Sequence, residues 1–250
     1  MRLILLIISF FSFFSLCFGQ GTKLYKNLND HYFLLNPTEF LKVTEELKVL
    51  ARYDNNGFDI FNFADVSNPH YLCLFSNSSQ KVWILDNELA LLDEIRLEDK
   101  FDDKISKLFL LNKSLYLYSE VGSSWYVYDI FTNKITFQEE LPVLVDKVIA
   151  FHGCGGAVYF QSSHALWKVD LFSSWEEVNW VNSTDSFTEC GNNNCNYVSG
   201  NSESFVLVNP LCGKYFSLYN SSMELGESPF LLGDVLYYLK NKKIHSLKVN

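Results

Sequence analysis

His152 and Cys154 are separated by a single glycine, the spacing of half a metal site or of a Cys/His nucleophile pair. A metal centre needs further ligands, and a thiolate nucleophile needs an oriented base. Neither is supplied. His31, His70, His164 and His245 are scattered along the chain, and Gly153, Gly155 and Gly156 make the segment read as a tight turn. The pair is therefore expected to be structural. Asp93 and Glu94, followed by Asp99, Asp102 and Asp103, form an acidic stretch. A calcium loop places oxygen ligands at alternating positions around a glycine, whereas here Lys100 and Lys104 intrude and no glycine is present. The stretch reads as a solvated connection. There is no Gly-x-Ser-x-Gly elbow, phosphate-binding loop or dinucleotide fingerprint. No catalytic residue, metal or cofactor is predicted.

The N-terminus points to a compartment. Met1-Arg2 precedes an apolar run from Leu3 to Phe18, and Cys17 and Gly19 are small residues at a cleavage site. Residues 1–19 read as a secretory signal peptide, with an uncleaved anchor as the alternative, and residues 20–250 as one domain. No later run reaches the ~18 apolar residues of a membrane span. Four Asn-x-Ser/Thr sequons follow, at Asn77, Asn112, Asn182 and Asn220, each at an expected turn. The formal net charge of −9, more acidic once Arg2 leaves, argues against nucleic acid or anionic membrane as partner.

Loss of Cys17 leaves an odd set of cysteines: Cys73, Cys154, Cys190, Cys195 and Cys212. At least one is then unpaired or pairs between molecules. Cys73 sits in the apolar run Tyr71–Phe75 and reads as a packed thiol. Cys190, Cys195 and Cys212 are the disulfide candidates, with Cys190–Cys195 stapling the tip Gly191–Asn194. Secretion favours disulfide over zinc.

These residues must be positioned by strands. With 48% hydrophobic and 16% aromatic residues the chain can bury a core. A strand-pair signature recurs: Leu115–Tyr118 with Trp125–Asp129, Ala157–Phe160 with Leu166–Asp170, and Tyr71–Phe75 with Val82–Asp86. The central strands are continuously apolar, implying burial on both faces, while the following segments alternate like half-exposed outer strands. The strand-ending acids Asp86, Asp129 and Asp170 recur about every 40 residues, the period of a four-stranded propeller blade, and read as turn caps. The fold class is all-β: a small β-propeller of five or six four-stranded blades, closed by an N-terminal strand. The candidate closers are Lys48–Tyr53 and Lys23–Leu28. Residues 20–57 read two ways. Asn36-Pro37-Thr38-Glu39 resembles a helix start, with Phe40, Leu47 and Leu50 near one helical face, and the same stretch could form a degenerate blade. The fourth unit is expected as Asn196–Ser199, Ser204–Val208, Lys214–Tyr219 and Met223–Leu225.

The third unit resembles a kelch repeat. Gly155-Gly156 precedes the second strand, Tyr159 sits within it, and Trp175 marks the fourth. The second unit, with Leu115-Tyr116 and Tyr128-Asp129, is similar but lacks the glycine pair. The resemblance covers about half of the chain after the signal and implies a propeller that serves as a binding platform.

The functional expectation is a secreted, N-glycosylated, non-enzymatic module that binds an extracellular protein or glycan through loops on one face. The turns Ser76–Gln80, Glu120–Ser124, Ser162–His164 and Asn209–Gly213 should share that face with the connections Glu98–Ser106 and Asn182–Cys195. Asp99, Asp102, Asp103, His164, Asn192 and Asn193 are the candidate binding residues. Two rivals stand. One is a small extracellular hydrolase of glycosidase type using funnel carboxylates. The other is an oligomer linked by the odd cysteine. The mature chain is expected to begin at Gln20, as pyroglutamate, and to carry N-glycans. N-terminal mass spectrometry with and without deglycosylation checks both; a secreted form that retains Met1 and shows no mass shift contradicts them.

Overall fold

The computed structural model describes residues 22–178, apart from residues 28, 69, 144, 146, 149, 155–156, 163–164 and 171–173, and beyond them the strands between residues 187 and 248. Short runs rich in β-branched and aromatic residues, most of them ended by Asn, Asp, Ser or Gly, form strands throughout. The described residues make six antiparallel sheets, five of four strands and one of three. The first holds β1 (Lys23–Lys26), β2 (Tyr32–Leu35), β3 (Glu39–Val43) and β4 (Val49–Asp54). The second holds β5 (Phe63–Asp65), β6 (Leu72–Ser76), β7 (Lys81–Leu85) and β8 (Leu91–Arg96). The third holds β9 (Ile105–Leu111), β10 (Ser114–Ser119), β11 (Ser124–Asp129) and β12 (Lys134–Glu140). The fourth holds β13 (Ala150–Cys154), β14 (Ala157–Gln161), β15 (Leu166–Val169) and β16 (Trp175–Val178). The fifth holds β17 (Phe187–Thr188), β18 (Tyr197–Gly200), β19 (Phe205–Asn209) and β20 (Lys214–Leu218). The last holds β21 (Glu227–Leu232), β22 (Val235–Lys240) and β23 (Lys243–Lys248).

The strand patterns explain the layering. Every residue of β6 and β14 is buried, while β4, β8 and β12 are largely exposed outer strands. Apolar side chains from facing sheets merge into shared cores. Phe33, Leu35 and Phe40 of the first sheet meet Leu72, Leu74 and Trp83 of the second. Cys73, Val82 and Ile84 of the second meet Leu108, Leu110 and Leu115 of the third. Tyr118, Trp125 and Val127 of the third meet Phe151, Val158 and Phe160 of the fourth. Cys73 is wholly buried, as expected, with its sulfur 3.9 Å from the Leu74 carbonyl.

Polar ties register these apolar faces. Asp65 is buried at the end of β5 and accepts from the Leu110 amide of the next sheet at 2.6 Å and the Ser67 amide at 2.8 Å. The Gln80 carboxamide pairs with both backbone groups of Ile105, at 2.7 and 2.9 Å. Asn68 donates to the Asn112 carbonyl at 2.7 Å. Buried amides need partners, so these ties fix how the second sheet sits against the third. A further repeat lies in the third and fourth strands. Trp83 faces Glu94, Trp125 faces Glu139 and Trp167 faces Glu177 in register. The Trp83 and Trp125 indoles donate to those carboxylates at 3.1 Å each. The turn-cap expectation holds. Asp86 accepts from the Glu88 and Ala90 amides, Asp129 from Phe131 and Thr132, and Asp170 from Ser174.

Closure differs from expectation. Lys23–Lys26 and Val49–Asp54 are the first and fourth strands of the first sheet, and the last sheet has three described strands. The ring closes side by side instead: β1 packs against β21, and Ile244 and Tyr237 join Leu24, Leu34 and Leu41 in one cluster. At this seam the buried Lys26 ammonium reaches Asp30 Oδ1 and Tyr237 Oη, each at 2.8 Å, and lies 4.3 Å from the Tyr237 ring centroid.

Three other expectations are corrected. Asn36–Glu39 is a hairpin end rather than a helix start. Its Asn36 amide donates to the Glu39 carbonyl at 2.9 Å, and Leu35 pairs with Phe40. His152 and Cys154 lie within β13, which runs on through Cys154, and not in a turn. The fourth unit is displaced by one strand: β17 precedes it, so Tyr197–Gly200 is a second strand, and Asn182–Cys195 is divided by β17 instead of forming one connection. Met223–Leu225 lies outside the described residues.

Burial weakens the Lys26 charge, but its hydrogen bonds to Asp30 and Tyr237 outweigh this and hold its pKa above the ordinary range. Tyr237→Phe keeps the ring and removes the phenolic oxygen from a buried ammonium. The expected loss is about 1.5–3 kcal/mol, read as a lower urea midpoint at unchanged m value. An unchanged midpoint contradicts the seam as described.

Candidate functional site

In an antiparallel sheet of this order, the second-to-third strand turns and the connections between sheets emerge on one face. The acidic connection is held there by apolar anchors. Leu97 is buried at the start of a 3-10 turn, Leu97–Asp99, and its carbonyl accepts from the Lys100 and Phe101 amides at 2.9 Å. Phe101 packs edge-on against Tyr126, with ring centroids 5.0 Å apart. With Leu97, Phe101 and Ile105 buried between the second and third sheets, Asp99 and Asp102 are left exposed. Asp103 turns inward and accepts from the Tyr126 hydroxyl at 3.0 Å. Gly122, in the β10–β11 turn, backs onto that carboxylate, and a Cβ there would collide with it. Asp99 and Asp102 are therefore presented, while Asp103 positions the loop.

The same face carries large apolar side chains that sequence reasoning missed. Phe58 is 85% exposed, Val121 81% and Val143 fully exposed, with Ile60 beside Phe58 in the chain. The cause near Phe58 is local. Asn56 and Gly57 adopt positive φ (59° and 75°), and the Phe58 amide closes the turn on the Asn55 carbonyl. Phe61 then dives inward against Trp83, with ring centroids 5.2 Å apart. β5 begins only at Phe63, so Phe58 and Ile60 lie in the connection before it. The Asn-Asn-Gly turn signal at 55–57 was the available clue.

Two sequons can be compared. Asn112 is exposed in a hairpin turn with φ 56°. Asn77 is half-buried, and its Oδ1 accepts from Gln80 Nε2 at 3.2 Å. Both lie in turns, on opposite faces. His164, Asn192, Asn193, Asn182, Asn220, Cys190, Cys195 and Cys212 lie outside the described residues.

His152 is buried in β13, with its ring stacked on Tyr159 at 5.5 Å. Burial pushes its pKa down to about 3, so the imidazole is neutral at physiological pH. Asp65 lies on the first strand of its sheet and is buried. Burial raises it, while the Leu110 and Ser67 amides pull it down.

No family model matches the sequence, and no curated protein does. Solved structures do. U3-55K superposes with a TM-score of 0.62 at 15% identity, over 92% of this chain and 78% of that one. A virginiamycin B lyase from Staphylococcus aureus gives 0.59 at 11% identity, over 93% and 86%. Kluyveromyces lactis Hsv2 gives 0.55 at 11%, over 91% and 73%. All three are β-propellers, and at these identities the likeness concerns the fold alone. The fold of this chain is a β-propeller.

Because the folded pKa of His152 lies below its unfolded value of about 6.5, only the unfolded chain takes up this proton as pH falls from 6.5 toward 3. Stability from this group is complete above pH 6.5 and is lost progressively below it. His152→Phe should flatten the acid limb of the stability profile by up to about 1.4 kcal/mol per pH unit. Parallel profiles for the two proteins contradict this environment.

Proposed function

We propose that the chain is a non-enzymatic binding scaffold of the secretory route, taking a protein partner on the face that bears the connections between sheets. The observation that carries this reading is the exposure of Phe58, Val121 and Val143 on the loops of that face, which also bears the exposed acids Asp99 and Asp102. Large apolar side chains held out on a rigid scaffold favour macromolecular contact over solvation. The acids suit a partner with basic groups at the rim. The leader-like N-terminus and the exposed sequon at Asn112 support secretion and glycosylation. The kelch-like reading of the third unit gains support from Tyr159 on its second strand and Trp175 opening its fourth. Against the hydrolase reading, Asp65 and Glu227 are the acids on the six innermost strands, and the Asp65 carboxylate is committed to two backbone amides.

The test is affinity capture from the medium of expressing cells, with wild type against a Phe58→Ser/Val121→Ser/Asp102→Lys variant. The variant should be secreted normally and lose at least ten-fold of a captured protein, which a Lys113→Ser variant on the opposite face retains. Partners bound equally by wild type and the triple variant, or lost with Lys113→Ser, overturn the face assignment.

A further inference from the structure

The last sheet differs from its neighbours in strand number and in charge. Among the described residues β23 has β22 on one side and no strand on the other, whereas β7, β11, β15 and β19 each pair with a fourth strand. A strand with one free edge offers unpaired N–H and C=O groups to any extended segment. The strand is well held from behind. Ile244 is buried in the seam with the first sheet, and His245 stacks on Tyr238 at 5.4 Å. Lys243 and Ser246 are exposed.

Charge narrows the occupant. Residues 235–250 contain Lys240, Lys242, Lys243 and Lys248 and no acid, within a chain of net charge −9. Three of the five other fourth strands have the opposite character: β8 carries Asp93-Glu94, β12 Glu139-Glu140 and β16 Glu176-Glu177, whereas β4 is mixed and β20 has one lysine. In the fourth sheet the pairing is direct: Lys168 on β15 lies 3.6 Å from Glu176 on β16. The chain's own N-terminal segment lacks this chemistry, because its first acid is Asp30, beyond β1. A second copy pairing antiparallel through β23 would set Lys243 against Lys248.

We propose that the free edge of β23 takes an extended acidic segment of a partner protein as a fourth strand. Main-chain hydrogen bonds would supply the binding, and carboxylates beside the exposed Lys243 the selectivity. This site is separate from the loop face.

The probe is a fluorescein-labelled peptide with the sequence of residues 173–180, read by anisotropy against the full chain. Hydrogen exchange of residues 243–248 is followed in parallel. Saturable binding with new protection over 243–248 is expected. Replacing both peptide glutamates by lysine should weaken binding at least ten-fold, and so should Lys243→Glu/Lys248→Glu in a protein of unchanged circular dichroism. N-methylation of alternate peptide amides should abolish it. Four results overturn the proposal: no binding; binding indifferent to N-methylation; displacement by heparin as effective as by unlabelled peptide; or protection of 243–248 before peptide is added.

Discussion

A ring of sheets has to be closed without a covalent bond, and here the closure rests on one buried cation. Lys26 and Tyr237 are 211 residues apart in sequence and 2.8 Å apart in space. An ammonium at 7% side-chain exposure is costly to bury unless its donors are met, and Asp30, Tyr237 and the faces of two tyrosines meet them. The apolar cluster of Leu24, Leu34, Leu41 and Ile244 excludes water from the same seam. Contacts of such sequence separation carry a large loop-closure cost. The seam is the junction on which a continuous ring depends.

The described junctions from the first sheet to the fourth work differently. Neighbouring sheets share apolar cores, which are strong but non-directional. Between the second and third sheets Asp65, Gln80 and Asn68 supply direction, each binding backbone of the third sheet. The repeated Trp–Glu pairs hold third and fourth strands in register, and Glu139 also accepts from Trp175 of the next sheet at 3.2 Å. Beside anchors such as Phe61, Asn68, Gln80, Leu97 and Phe101, the connecting loops carry side chains that the core does not use. Exposed Phe58 and Val121 are tolerable on such loops because the core does not need them.

Much of this was legible in the strand rhythm. Ser114–Ser119 and Ala157–Gln161 could be bounded from their apolar runs alone, and Asp86, Asp129 and Asp170 from their place after a strand. The first sheet was ambiguous because Phe40, Leu47 and Leu50 fit a helical spacing. What decides for strands is that Phe40 pairs with Tyr53 and stacks on Phe33, long-range facts that local periodicity cannot supply. The fifth sheet slipped because β17 is two residues long and carries no pattern. Closure was misplaced for a related reason. A lysine in Lys23–Lys26 reads as a surface residue, and only the facing tyrosines make it a core one.

Native-state hydrogen exchange over β1, β21 and β22 tests the central claim most directly. If the Lys26 seam closes the ring, these strands open together, with a free energy that matches β9 and β10 and the global value from denaturant unfolding. If β1 exchanges at a much lower free energy while β21 and β22 remain protected, the first strand frays alone and the seam does not hold the ring.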